Sequence, residues 1–319
     1  MKKSICVVGA GYWGKNHIRT LFELQSLGGI VDNDKNSLDK ITSVYPEIKR
    51  HSNLNDALND NYDGYIIATP ASTHFEIAKL IINAQKAVLI EKPMTLSISD
   101  AEELVRLAEE KKTNVLIGHV LLFHPAIRKI KEMIVNGSIG DLQYVYSNRL
   151  NLGKVRSQEN VFWSLAPHDI AIFQHLTESY PKRINSIGSS FLQKGVPDST
   201  ITHIEYENGI EGHIFVSWLH PFKEHRLVII GSEAMISFED SSEGKPLKFY
   251  SKKFDLASGL PEKIDGPIHL IPYEYKMPLT LEIEYFINHL QDEEITFSNA
   301  EEGLEVVKIL VESTRQLLK

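Results

Sequence analysis

Cysteine is almost missing: Cys6 is the only one in 319 residues, which excludes a disulfide framework and any Cys-based zinc site. It lies inside an apolar run, which fits a reducing interior. Positive charge is also in short supply, with 34 Lys and Arg against 42 Asp and Glu and a formal charge of -8. That balance repels a phosphate backbone, so nucleic acid is not an expected partner. Long hydrophobic runs are absent, since no window approaches the roughly 18 uncharged apolar residues of a spanning helix. Met1-Lys2-Lys3 has the charge of a signal peptide, but the apolar run after it breaks at Gly9, Gly11 and Gly14 and then meets Lys15. No small-residue cleavage pattern follows, and the expectation is a cytoplasmic protein with no membrane partner. His213, His220 and His225 lack a metal-site spacing such as H-E-x-x-H, so no metal is expected. Repeats, low-complexity tracts and disordered linkers are absent too.

What is there is ordinary globular composition, 42% hydrophobic and 24% charged, in a chain long enough for two domains. The first third alternates strand and helix signals with short connections, the pattern of a parallel sheet covered by helices. Strands are predicted at Ser4 to Val8, Gly29 to Val31, Gly64 to Ala68, Ala87 to Ile90 and Val115 to Gly118. Helices are predicted at Trp13 to Leu24, Ser37 to Tyr45, Thr73 to Asn83 and Ala101 to Lys111, the last with Ser99 and Glu102 spaced as a capping box. Beyond Gly118 comes an amphipathic helix, Pro125 to Asn136, and then long strands dominate. These are Leu142 to Leu150, Ile184 to Leu192, Thr200 to Tyr206, Gly212 to Trp218, Arg226 to Ile230 and Met235 to Phe238. Turn signals such as Glu207-Asn208-Gly209 join them as in an antiparallel sheet. Helices at Ser164 to Leu176, Leu279 to Leu290 and Ala300 to Leu318 complete the chain. The predicted fold is α/β: a doubly wound parallel Rossmann sheet in residues 1–118, then an α+β domain with a large, mainly antiparallel open sheet in residues 119–319.

Gly9-Ala10-Gly11-Tyr12-Trp13-Gly14 is a G-x-G-x-x-G that follows a strand and opens a helix. The first glycine makes the tight turn, the second lets backbone approach a pyrophosphate, and the third permits close helix packing with the helix N-terminus facing the anion. Asp32 stands at a strand end 18 positions after Gly14, placed to accept hydrogen bonds from ribose hydroxyls. No arginine follows it to hold a 2'-phosphate, and Lys35 is the one nearby cation. The expected cofactor is NAD rather than NADP.

Two more segments stand at strand C-terminal ends, where ligands bind in such folds. Ala68-Thr69-Pro70 with His74 suits turn chemistry and a helix first turn as well as a cofactor contact. Glu91-Lys92-Pro93 reads either as an exposed strand end with a turn proline or as a functional lysine. Hydride leaves a carbinol only as negative charge builds on its oxygen, and an ammonium stabilises that charge. His119, Phe123 and His124 serve packing or substrate contact equally. Tyr273 and Tyr275 suit a loop capping the sheet, although they could also hydrogen-bond a sugar or stack on a base.

With the glycine loop, Ala68-Thr69-Pro70 with His74, Glu91-Lys92-Pro93, the Gly118-His119 strand end and the sheet-rich second half, the sequence resembles the glucose-fructose oxidoreductase/inositol dehydrogenase/rhizopine catabolism (Gfo/Idh/MocA) family over nearly its full length. The resemblance implies cofactor contacts from Gly9, Gly11, Tyr12, Trp13, Gly14, Asp32, Thr69, Pro70, His74, Glu91 and Lys92. It places Lys92 beside the nicotinamide and the substrate. The family's catalytic histidine falls on His168, in Phe162-Trp163-Ser164-Leu165-Ala166-Pro167-His168-Asp169. That segment is similar to enzymes that oxidise the 3-hydroxyl of UDP-N-acetylglucosamine or its uronate before transamination.

The substrate contacts so implied are Lys92, His119, Arg156, Asn160, Trp163, Ser164 and His168. Arg156 and Asn160 read equally as a solvated loop, but a guanidinium there could meet a phosphate or carboxylate. Ser164 replaces the aspartate that the family commonly carries four residues before the histidine, so the proton path or sugar contact given to that carboxylate loses it here. The expected partners are a sugar or nucleotide sugar and, through the C-terminal sheet, further copies in a homodimer or homotetramer. The predicted activity is oxidation of a sugar hydroxyl, with Lys92 steadying the oxygen and His168 taking the proton, or the two roles exchanged. The alternatives are a dehydrogenase of a free cyclitol or monosaccharide, and a non-catalytic NAD-binding regulator.

Overall fold

In the computed structural model, which describes residues 3–153, 155–156, 159–291 and 293–318, the first sheet is built mostly from strands too apolar to leave either face to water. In chain order the elements are β1 (Ile5–Val8), α1 (Tyr12–Glu23), β2 (Leu27–Val31), α2 (Lys35–Thr42), β3 (Lys49–His51), α3 (Leu54–Leu58), β4 (Gly64–Ile67), α4 (His74–Asn83), β5 (Ala87–Glu91), α5 (Ile98–Lys111) and β6 (Val115–Gly118). Every residue of β1, β4, β5 and β6 is buried. All neighbours pair in parallel, in the order β3-β2-β1-β4-β5-β6. The chain turns from one half of the sheet to the other at β1, and a ligand crevice in such a fold lies outside the strand C-terminal ends at that switch point.

The elements that follow are α6 (Pro125–Val135), β7 (Leu142–Leu152), α7 (Val161–Leu165), α8 (Pro167–Thr177), β8 (Pro181–Ser189), β9 (Ser199–Tyr206), β10 (Glu211–Ser217), β11 (Leu219–Gly231), β12 (Met235–Glu239), β13 (Leu247–Tyr250), β14 (Lys253–Asp255), β15 (Glu262–Ile264), β16 (Ile268–Leu270), α9 (Pro278–Asn288) and α10 (Ala300–Leu317). The chain separates into two units, Met1–Phe123 with Lys276–Val307 and His124–Tyr275 with Lys308–Lys319. A single cut near His119 does not describe this, because α9 and the start of α10 belong with the parallel sheet. The attachment is specific: the Ile117 N–H donates to the Ser298 carbonyl at 2.6 Å, and the Ser298 hydroxyl donates to the Ile117 carbonyl at 2.7 Å.

The second unit is an eight-stranded sheet, β16-β13-β12-β11-β7-β10-β9-β8, antiparallel throughout except for the parallel pair β7 and β10. Its strands alternate. Thr200, Thr202, Ile204 and Tyr206 are buried on β9, and Gly212, Ile214 and Val216 on β10, so one face is covered. Helices α7 and α8 pack on that face. Gly212 is required there, since a Cβ would stand 2.4 Å from the Val145 carbonyl oxygen and 3.0 Å from the Phe173 ring. The opposite face carries Ile187 and Ile201 in exposed positions. Buried Asp198 ties the sheet to its loops by accepting from the Trp218 indole at 2.7 Å and from the amides of Phe191 and Leu192.

Several local expectations need correction. The capping box of α5 is not Ser99 with Glu102: Ser97, one residue before the helix, accepts from the Asp100 amide at 3.1 Å, and Ser99 lies inside the first turn. The helix expected at Ser164 to Leu176 is two helices. Ala166 is the last cap of α7 and the first of α8, and Pro167, which has no N–H, starts the second. Strand β8 begins three residues before the predicted Ile184, and β3, α3 and β13 to β16 are not predicted, because each is only three to five residues long and carries no hydrophobic period to read. Among the described residues no helix is long and apolar enough to cross a membrane.

Candidate active site

The glycine loop is shaped by contacts that exclude side chains. Gly9 has φ +100°, and a Cβ on Gly14 would stand 1.9 Å from the Gly9 carbonyl oxygen, so helix α1 starts hard against the end of β1. At Gly11 the direction of a Cβ is open, with nothing within 4 Å. Gly11 caps α1 without any side-chain acceptor, which leaves the first amides of a twelve-residue helix free to face an anion. Tyr12 is 84% exposed and Trp13 40%, available for contact beside the loop. The Asp32 carboxylate accepts from the Ala10 amide at 2.7 Å and from the Asp34 amide at 2.9 Å. This acid therefore also holds the loop in shape. An open glycine position, an uncapped helix start and a carboxylate at the next strand end fit a dinucleotide.

The next two strand ends are braced to each other by His74. Its ring is buried, with Nδ1 2.9 Å from the Pro93 carbonyl and Nε2 2.9 Å from the Thr69 carbonyl. Burial pushes its pKa below the ordinary histidine value while these carbonyls oppose the shift. The Thr73 hydroxyl donates to that of Thr69 at 2.8 Å, so the Thr69-Pro70 turn is fixed from within. The Lys92–Pro93 peptide bond is cis. Glu91 is buried, 2.7 Å from the His17 ring nitrogen Nε2, and its second oxygen accepts from the Lys92 amide at 3.2 Å. His119, after β6, is buried and neither ring nitrogen has a hydrogen-bond partner among the described residues. Burial first, and the Lys92 charge second, push its pKa down to about 3. His119 is thus a neutral ring at working pH, able to donate or accept a hydrogen bond but not to take up a second proton.

His168 stands in the first turn of α8, in the second unit. Beside it in sequence, Asp169 is buried and grips Arg149 of β7 through two bonds, Nε to Oδ2 at 2.7 Å and Nη2 to Oδ1 at 2.9 Å. This fork fixes the turn that carries His168. Arg149 Nη1 donates to His225 Nδ1 at 3.4 Å from the adjacent strand. Burial and then the Arg149 charge push the His225 pKa down to about 3, which keeps the ring neutral. Asn160 caps α7 by accepting from the Trp163 amide at 3.1 Å, and the Trp163 indole donates to the Thr314 hydroxyl at 2.7 Å. Arg156 is half exposed, 3.7 Å from Glu159, and its carbonyl accepts from Gln193. Ser164 lies on α7, so no continuous helix stacks it one turn before His168.

The structure thus gathers Gly9, Gly11, Gly14, Asp32, Thr69, His74, Glu91, Lys92 and His119 at strand ends of the first unit, and Asn160, Trp163, Ser164 and His168 on the two short-spaced helices of the second. The buried cluster of Arg149, Asp169 and His225 is not among the sequence expectations. A signal was available, since Arg149 shares the inward parity of Val145 and Ser147 on β7, and a buried base requires a buried acid.

The first unit has the architecture of a nicotinamide-dinucleotide oxidoreductase domain. Residues 3–119 match the family described as "Oxidoreductase family, NAD-binding Rossmann fold", and residues 127–237 match the GFO/IDH/MocA C-terminal domain. The chain belongs to the Gfo/Idh/MocA oxidoreductase family. It is 26% identical over 305 residues to UDP-N-acetylglucosamine 3-dehydrogenase of Acidithiobacillus ferrooxidans, covering 94% of this chain and 93% of that one. The solved structure of an enzyme of that name from that organism superposes with a TM-score of 0.86 at 22% identity, over 100% of this chain and 98% of the other. The scyllo-inositol 2-dehydrogenase (NAD(+)) of Bacillus subtilis is 26% identical over 185 residues, 54% of each chain. GenD2 from gentamicin A biosynthesis, solved in complex with NAD, superposes with a TM-score of 0.82 at 20% identity, over 99% of this chain and 94% of that one.

Arg149→Met leaves Asp169 buried without its cation and is expected to cost about 3–5 kcal/mol of stability, read by urea unfolding. Adding Asp169→Leu should recover most of the loss. A double variant as unstable as the single one contradicts this account of the pair.

Proposed function

We propose that the protein is an NAD-dependent dehydrogenase that oxidises a secondary hydroxyl of a sugar to a ketone, the hydroxyl being the 3-hydroxyl of a UDP-N-acetylhexosamine or its uronate. The observation that carries this reading is Lys92 at the end of β5, on a strand end braced by Glu91 and His74 and beside the neutral ring of His119. Likeness to the UDP-N-acetylglucosamine 3-dehydrogenase along 94% of the chain favours a nucleotide sugar. The unit Met1–Phe123 with Lys276–Val307 is assigned to the cofactor, and the unit His124–Tyr275 with Lys308–Lys319 to substrate and assembly.

A bound NAD would supply the hydride acceptor. The chain's own residues do the rest. The amides at the start of α1 hold the pyrophosphate, and Asp32 accepts from the adenosine ribose. Lys92 orients the substrate hydroxyl and steadies the negative charge that grows on its oxygen. His168 takes the hydroxyl proton. His119 contributes a hydrogen bond to the substrate without titrating, since its pKa is held far below working pH. Trp163, Asn160 and Arg156 form the substrate side in the second unit. Its exposed sheet face, with Ile187 and Ile201, pairs with a second copy in a homodimer or homotetramer, and sedimentation as a monomer would remove that part of the proposal.

NAD should bind at least about tenfold tighter than NADP, because a 2'-phosphate against the Asp32 carboxylate loses hydrogen bonds and gains repulsion. Asp32→Ala should narrow the gap, chiefly by weakening NAD, and also loosen the loop that Asp32 holds through Ala10. Equal dissociation constants for the native protein would refute the preference.

Reduced-cofactor absorbance with NAD and a panel of UDP-sugars, free sugars and cyclitols tests the activity. A UDP-N-acetylhexosamine should outperform its free sugar, because binding groups remote from the reacting carbon can also raise kcat. Lys92→Ala and His168→Ala should each lower kcat by about 10² to 10⁴ with little change in NAD affinity. Free inositol or glucose turning over as efficiently as every UDP-sugar favours the cyclitol or monosaccharide reading, and no turnover of any of them favours a non-catalytic NAD-binding regulator.

A further inference from the structure

Helix α1 carries a histidine on its packing face. Gly14, His17, Ile18 and Leu21 recur at helical spacing and are all buried, so the pattern that turns α1 toward the sheet also turns the His17 imidazole inward. A buried polar ring needs a partner. His17 finds one 74 positions further along the chain: Nε2 stands 2.7 Å from Glu91 Oε1, while Nδ1 has no hydrogen-bond partner among the described residues. Nε2 is therefore the ring atom that donates, to a carboxylate oxygen that can only accept.

Glu91 is the last residue of β5, and its other oxygen accepts from the Lys92 amide at 3.2 Å. This carboxylate has little room to turn. Gly118 pairs with Glu91 across β5 and β6, and a Cβ there would stand 3.3 Å from Oε2. On the other side of Lys92 in the chain, His74 lies 2.9 Å from the Pro93 carbonyl. Lys92 thus stands between two residues that buried histidines hold. His74 meets backbone, whereas His17 reaches the strand end only through a side chain.

We propose that His17 is a positioning residue for Lys92, acting through Glu91: its Nε2–H fixes the carboxylate that holds the Lys92 amide, and so sets the direction in which the lysine leaves the strand end. This rests on the reading of Lys92 as the group that steadies the substrate oxygen. Without the Nε2 donor a largely buried carboxylate loses a partner and turns toward other donors, releasing the Lys92 amide. Stabilisation of a growing oxyanion depends on a donor already in place, so a loosened strand end loses rate and keeps binding.

The test uses the full chain with three substitutions. His17→Gln puts a donor where Nε2 stands, His17→Asn puts one where Nδ1 stands, and His17→Leu has none. Hydrogen exchange of the Lys92 amide needs no substrate: it should stay native in His17→Gln and quicken at least about tenfold in His17→Asn and His17→Leu. With NAD and UDP-N-acetylglucosamine, His17→Gln should keep kcat within about threefold, while the other two lose about 10- to 100-fold with KM and the Kd for NAD little changed. Native exchange and native kcat in all three variants overturn the proposal. An equal loss in all three makes His17 a packing residue and overturns it, and so does a fall in NAD affinity in step with kcat, which places the effect at the glycine loop. If the exchange pattern appears but the native protein leaves UDP-N-acetylglucosamine unoxidised, or Lys92→Ala oxidises it at the native rate, the reading of Lys92 has failed and the positioning role falls with it, with the His17 contact itself intact.

Discussion

The first unit depends on one close approach. The carbonyl of Gly9 occupies the space that a side chain on Gly14 would fill, so α1 begins where β1 ends and its first amides point past an open Gly11. Everything at the cofactor side is arranged around that junction. Asp32 ties the next strand end to the loop through Ala10, and a Cβ on Gly9 would meet Ala68 and Thr69, which brings the end of β4 against the same turn. His74 then links that strand end to Pro93, beside Lys92. The strand ends are therefore joined by contacts between polar groups and backbone, where apolar packing alone would leave orphaned carbonyls and amides.

The second unit solves a different problem. Its sheet presents one apolar face to the helices, yet the inward rows of β7 and β11 carry Arg149 and His225 at directly paired positions. The arrangement is tolerable because Asp169 meets the guanidinium through both oxygens and His225 stays neutral. A buried ion pair of this kind adds little net stability, but its geometry is narrow. Here it specifies how the first turn of α8 sits on the sheet, and that turn carries His168.

Much of this was legible in the sequence because the signals are short-range. Gly9, Gly11 and Gly14 fall between a buried strand and an amphipathic helix, and alternation on β9 and β10 announces a sheet with one covered face. Motif resemblance added Lys92 and His168, whose roles no local spacing could supply. The short strands β3, β13 and β16 are lost because three or four residues hold no hydrophobic period to read. The break between α7 and α8 was hidden since Pro167 is equally at home at a helix start as after a helix end.

The sequence by itself determined the class of fold, the dinucleotide fingerprint and the identity of the residues at the strand ends, because these follow from periodicity, glycine chemistry and turn placement within a few residues. Only the tertiary structure decided which of those side chains are already occupied and which distant groups they meet. Glu91 with His17 and Arg149 with Asp169 are pairs separated by 74 and 20 positions. No local pattern links such residues. Burial and contacts of this kind exist only once the chain has folded.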